Sequence, residues 1–142
     1  MAAAVQAAPV YLNREKTLDK VVALIEEASR QGAQFIVFPE SFIPGYPYFA
    51  WLGTPMWYHK FFKEWFKNSV EVPSKTTDVL CEAARKANAY LAIGVTEREG
   101  NTCYNTILFN RQARSDLGEA QEADAHSCGE DRLGLWRWQG LF

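Results

Sequence analysis

Few side chains in this sequence are equipped for chemistry, and one of them stands out by its position. Glu40 follows Phe35-Ile-Val-Phe38, a continuously apolar run that reads as a buried strand, with only Pro39 between them. In open α/β sheets, ligands bind outside the carboxyl ends of the strands, where this places Glu40. Its neighbours Phe38, Phe42 and Ile43 make an apolar setting expected to desolvate a carboxylate and suit it to general acid–base work. Two plainer roles remain open, a surface-loop glutamate and a helix-capping partner. The other reactive types are sparse. Cys81 falls on a helix face with Leu80 and Ala84, as a small core residue would. Cys103 sits in a hairpin, followed by Tyr104 and Asn105 as ordinary strand-start residues. Cys128 precedes Gly129-Glu-Asp131, and His59 and His126 are single histidines without a serine or carboxylate at a recognisable spacing. No spacing suits a metal, and no motif calls for a cofactor.

The elements that must position Glu40 follow from periodicity. Ala3-Ala-Val-Gln-Ala-Ala8 is a short strand ended by Pro9. Asn13 caps a helix whose apolar stripe is Leu18, Val21, Val22, Ile25 and Ala28, with Gly32 closing it. After the Phe35–Phe38 strand comes a loop from Glu40 to Pro55, rich in proline, glycine and aromatic residues. A helix follows over Tyr58–Phe66, with Phe61, Phe62, Trp65 and Phe66 on one side. Another spans Asp78–Ala87, capped by Ser74 or Thr76 and burying Val79, Leu80, Ala83 and Ala84. Strands at Tyr90–Val95 and Tyr104–Phe109 are joined by Glu97-Arg-Glu-Gly-Asn101, where Gly100 suits a hairpin turn. This order gives an α/β fold with a mixed sheet and a late hairpin.

Composition excludes several classes. At 142 residues, with 48% hydrophobic and 23% charged residues, the chain is expected to be one globular domain. No apolar run approaches the ~18–20 residues of a membrane-spanning helix, and Met1-Ala-Ala-Ala-Val5 lacks the makings of a secretory signal. A net charge of -2 argues against nucleic-acid and polybasic membrane partners. Three cysteines, an odd number, exclude a disulfide scaffold and fit a reducing, cytoplasmic setting.

The segment Gly32-Ala-Gln-Phe-Ile-Val-Phe-Pro-Glu-Ser-Phe-Ile-Pro-Gly-Tyr-Pro47 resembles the catalytic-glutamate signature of the nitrilase branch of the carbon–nitrogen hydrolase superfamily. Ala4-Val-Gln-Ala-Ala-Pro9, Tyr46-Pro-Tyr-Phe-Ala-Trp51 and Gly94-Val-Thr-Glu-Arg98 are similar to that branch as well. The resemblance implies the N-terminal part of an α-β-β-α sandwich, incomplete here, and a Glu-Lys-Cys mechanism without cofactor or metal. The glutamate activates a cysteine, the thiolate attacks a nitrile, and water releases ammonia and a carboxylic acid. By position Glu40 is that glutamate. The family lysine and nucleophile have no counterpart of matching context, since no lysine lies beyond Lys86. The substrate would be a small nitrile of unspecified side chain, and the full-length family implies a homo-oligomer. The alternative is a non-catalytic module that assembles with full-length relatives.

A compositional break divides the chain into 1–110, the hydrolase-like part, and 111–142. All lysines and prolines precede the break, and the tail lacks Val, Ile, Thr and Tyr. The tail therefore reads as poor strand material, with Leu133, Leu135, Trp136 and Trp138 in no clean register. It is expected to be disordered or, from about Ala113, read in a shifted frame. Codons chosen for Leu117–Glu130 and read one base later encode a basic stretch resembling the one that carries the family lysine. On that reading the chain is inactive and only partly folded.

Overall fold

The computed structural model describes residues 1–110 and 133–138. Expectations for the remainder of the tail, including the frame shift, disorder, His126 and Cys128, fall outside the described residues. The elements are β1 (Ala2–Ala4), α1 (Arg14–Arg30), β2 (Phe35–Val37), a 3-10 turn (Tyr48–Trp51), α2 (Pro55–Asn68), α3 (Lys75–Ala87), β3 (Tyr90–Glu99), β4 (Thr102–Asn110) and β5 (Leu133–Trp138). One sheet in the order β1-β2-β3-β4-β5 carries them, parallel from β1 to β3 and antiparallel from β3 to β5.

Local chemistry explains the helices. Asn13 Oδ1 accepts from the Lys16 amide at 3.0 Å, supplying the expected cap, and Gly32 takes φ +87° just beyond the helix. Leu18, Val21 and Ile25 are buried, with Val22 and Ala28 partly so. At α3 the Thr77 hydroxyl oxygen accepts from the Ser74 amide at 2.8 Å. Asn88 closes that helix in the left-handed region at φ 53°. Val79, expected inside, is 40% exposed, because the buried stripe of α3 runs through Thr76, Thr77, Leu80, Cys81, Ala83 and Ala84.

Crossovers between parallel neighbours are right-handed, so two in the same direction put their helices on the same side. The Ser29 hydroxyl donates to the Ala87 carbonyl at 2.9 Å, tying α1 to α3. Ile36, Leu91, Ile93, Val95 and Leu108 form the core with Leu18, Val21, Ile25 and Leu80. Among the described residues no helix covers the other face of the sheet. Val37 is 36% exposed, Ile107 47% and Phe109 36%, and the Phe35 and Phe109 rings lie 5.9 Å apart. The continuous apolar run Phe35–Phe38 therefore lacks the double cover read from it. Its apolarity on the second face is unmatched by any helix among the described residues.

Three further expectations are corrected. The first strand is only Ala2–Ala4. Of the aromatic side of α2, only Trp65 is fully buried and Phe62 is 37% exposed. The Leu133–Trp138 segment, read as poor strand material, pairs with β4 from Asn110↔Leu133 to Asn105↔Trp138. The outer edge of β4 offers unpaired backbone groups whatever the partner's composition, and tryptophan is itself well suited to strands.

Candidate active site

Glu40 is placed by the main chain rather than by side-chain packing. After β2 the backbone continues alongside β3: the Phe38 amide donates to Ala92 O, and the Phe42 amide to Gly94 O, both at 2.8 Å. Four residues on one side thus match two on the other, so Pro39–Ser41 must arch away from the ladder. Ser41 takes φ 44° to make the arch. Gly94 lies directly beneath it. A Cβ there would stand 2.5 Å from Pro39 O, 2.6 Å from Glu40 Cα and 2.7 Å from Ser41 N, all backbone atoms. Only a residue without a side chain lets the arch sit down on the strand.

The same arch corrects the environment expected for Glu40. Phe38, Phe42 and Ile43 turn into the core, with the two rings edge-to-face at 5.3 Å, while Glu40 is exposed. Their apolarity fills the interior instead of surrounding the carboxylate. Glu40 is nonetheless held: the Asn105 side-chain amide donates from Nδ2 to Glu40 Oε1. Asn105 Oδ1 in turn accepts from the Ser41 hydroxyl at 3.4 Å. Asn105, read as an ordinary strand-start residue, is the contact to Glu40 that sequence reasoning missed. Nothing local in the sequence marks it; the register of the hairpin places it opposite Thr96, two residues beyond the Gly94↔Ile107 pair.

The remaining candidates separate from this group or stand at its margin. Cys103 is free and half-buried, two residues before Asn105 and so on the same face of β4. Burial pushes its thiol pKa up, opposed by the Ser69 hydroxyl and the Arg98 charge. Cys81, expected as a small buried core residue, is buried and disulfide-bonded, which departs from the reducing setting read from the cysteine count. His59 is exposed on α2. Glu97, expected in the hairpin connection, lies within β3 and is 1% exposed, accepting from the Thr106 hydroxyl at 2.8 Å. Among the described residues no group of His, Cys, Asp and Glu is arranged to hold a metal ion.

Beside the arch, Tyr46 stacks on Trp51 at 5.5 Å, and Tyr48 and Trp51 are 61% and 62% exposed. Trp65 Nε1 donates to Gly45 O at 3.0 Å and anchors the base of this aromatic loop on α2. Phe49 fixes the far side against Tyr58, Phe61 and Trp65.

The sequence profile of the carbon-nitrogen hydrolases matches residues 1–124. The chain belongs to the carbon–nitrogen hydrolase family. A nitrilase from Bacillus sp. (strain OxB-1) is 44% identical over 107 residues, which cover 75% of this chain and 31% of that protein. An aliphatic nitrilase from Rhodococcus rhodochrous is 43% identical over 75% of the chain and 29% of its own length. This carbon–nitrogen hydrolase chain thus spans about a third of the length of the curated relatives it matches. A carbon–nitrogen hydrolase superfamily protein from Xanthomonas campestris shares the fold with a TM-score of 0.62 at 16% identity, over 97% of this chain and 40% of that one. An amidase from Nesterenkonia sp. aligns with a TM-score of 0.54 at 22% identity, over 77% of this chain and 37% of that one. The fold is therefore a mixed α/β portion of this superfamily's architecture. No helix among the described residues is long and apolar enough to cross a membrane.

Proposed function

We propose that the chain supplies the general base, Glu40, of a nitrile-hydrolysing site and is inactive by itself. In the reaction, Glu40 takes the proton of a cysteine thiol, and the thiolate adds to the nitrile carbon to give a thioimidate. Water then releases ammonia and the carboxylic acid, while a lysine stabilises the developing charge. A base is needed because a thiol near neutral pH is mostly protonated. The observation that carries this reading is the backbone arch over Gly94, which presents the carboxylate beyond the carboxyl end of β2. Similarity to nitrilases supports nitriles as the substrate class. No lysine follows Lys86, and none of the three cysteines stands in the sequence context of the family nucleophile, which supports reading the chain as incomplete by itself. A second reading, a non-catalytic module that associates with full-length relatives, is favoured by the exposed apolar sheet face.

Grafting residues 1–110 in place of the matching segment of the Bacillus nitrilase tests the proposal. The graft should release ammonia from nitriles, and Glu40→Gln in it should cost at least about 100-fold in rate, the loss expected for a positioned general base. A graft that folds and keeps its turnover after Glu40→Gln removes Glu40 from the mechanism. Ammonia release by the 142-residue chain alone would show instead that one of its own cysteines attacks.

A further inference from the structure

We infer that Asn105 is a positioning residue for the Glu40 base, holding one carboxylate oxygen so that the other is left to take the proton; this rests on the base role proposed above. A carboxylate carries only acceptors, and Asn105 offers it an amide donor from Nδ2 to Oε1. The amide could be turned either way, and the carboxylate decides it: only Nδ2 can donate to Oε1, and Oδ1 is then placed to accept from the Ser41 hydroxyl at 3.4 Å. Oε2 has no hydrogen-bond partner among the described residues and is the oxygen open to a thiol.

The donor's chemistry fits the task. A lysine or arginine at this place would form an ion pair and offset the charge that makes Glu40 a base. A neutral amide aims the group and leaves its charge intact. The platform is also stiff. Asn105 lies in the middle of β4, opposite Thr96, with Leu108 and Thr106 of the same strand buried. Glu40 stands on the arch that Gly94 admits, and Ser41, the arch's left-handed residue, donates its hydroxyl to the carbonyl end of the same amide. A single strand pair therefore fixes both the backbone and the side chain of the base.

Two substitutions separate aiming from shape. Asn105→Asp keeps the outline and removes the donor, and Asn105→Leu keeps the bulk. In the full 142-residue chain labelled with 15N, the Asn105 side-chain amide pair should be resolved from the other asparagines and protected from exchange. Glu40→Ala should shift it and speed its exchange at least about threefold. An Asn105 amide that exchanges at the same rate with and without the Glu40 carboxylate overturns the inference. In the graft described above, Asn105→Asp and Asn105→Leu should each lower kcat about 10-fold or more with KM within about twofold, since the losses fall on a proton transfer rather than on binding. Full kcat in the Asp variant, with loss only in the Leu variant, would make Asn105 a space-filler and overturn it too. The amide result does not depend on nitrile turnover. A chain whose Asn105 amide responds to Glu40 while the graft hydrolyses no nitrile leaves the contact standing and removes the hydrolase reading.

Discussion

Replacing Gly94 by alanine is the sharpest perturbation of the arch that carries Glu40. In an ordinary strand position the exchange should stabilise by about 0.5–1 kcal/mol, because glycine loses the most backbone freedom on folding. Here the new methyl would stand 2.5, 2.6 and 2.7 Å from three backbone atoms of Pro39, Glu40 and Ser41. Carbon contacts settle near ~3.5–4.0 Å, so the arch must rise by about 1 Å. Overpacking of this kind costs about 1–3 kcal/mol. The Phe42 amide to Gly94 carbonyl bond at 2.8 Å spans the displaced region and weakens with it, at about 1 kcal/mol. The net expectation is a loss of about 2–3 kcal/mol after the glycine entropy is credited, or ~5–10 °C in Tm for a chain of this size. Urea unfolding gives the free energy, and hydrogen exchange at the Phe42 amide reports the arch itself. A variant as stable as the parent, with Phe42 equally protected, would show that the arch does not rest on Gly94.

Other expectations are simpler to read. Asn13→Ala removes the cap on the Lys16 amide and should cost about 1 kcal/mol of stability in denaturant titration. Alkylation of Cys103 by iodoacetamide should rise with a midpoint above the ordinary thiol value of about 8.5, since burial favours the neutral form. The native chain then holds that proton longer than the unfolded chain, so this group's contribution to stability is intact below the unfolded thiol value and should be lost as pH rises from there through the raised native value. A midpoint at or below the ordinary value would contradict the burial of Cys103. The exposed face bearing Val37, Ile107 and Phe109 should make the chain self-associate at micromolar concentration. Ile107→Lys should reduce that association in light scattering, and a monomeric parent would refute the assignment of this face as the sticky one.

The sequence made the ends of α1, the hairpin turn and the location of Glu40 legible because each rests on local chemistry, whereas α2 and α3 begin at Pro55 and Lys75, three residues before the expected Tyr58 and Asp78. Asn13, Gly32 and Gly100 act within a few residues of themselves, and the structure uses all three as read. What stayed hidden depends on partners distant in sequence. Glu40 and Asn105 are 65 residues apart, and nothing near either one signals the other. The role of Gly94 depends on which backbone passes over it, so it reads in sequence as one more strand residue. Apolarity around Glu40 was visible, but its direction was not: an arch turns Phe38 and Phe42 inward and the carboxylate outward. The strand at Leu133–Trp138 was missed because pairing at an open edge is a backbone property that composition records poorly.

The handedness of the two crossovers has a thermodynamic consequence for the site. Because α1 and α3 share one side, Val37, Ile107 and Phe109 are exposed on the side where Asn105 meets Glu40. A surface that binds there favours the folded state by mass action and, on the base role proposed for Glu40, would also supply a wall beside the carboxylate. Occupancy of the face and completion of the reaction chamber would then follow a single saturation curve, with stability and chemistry rising together along one concentration axis.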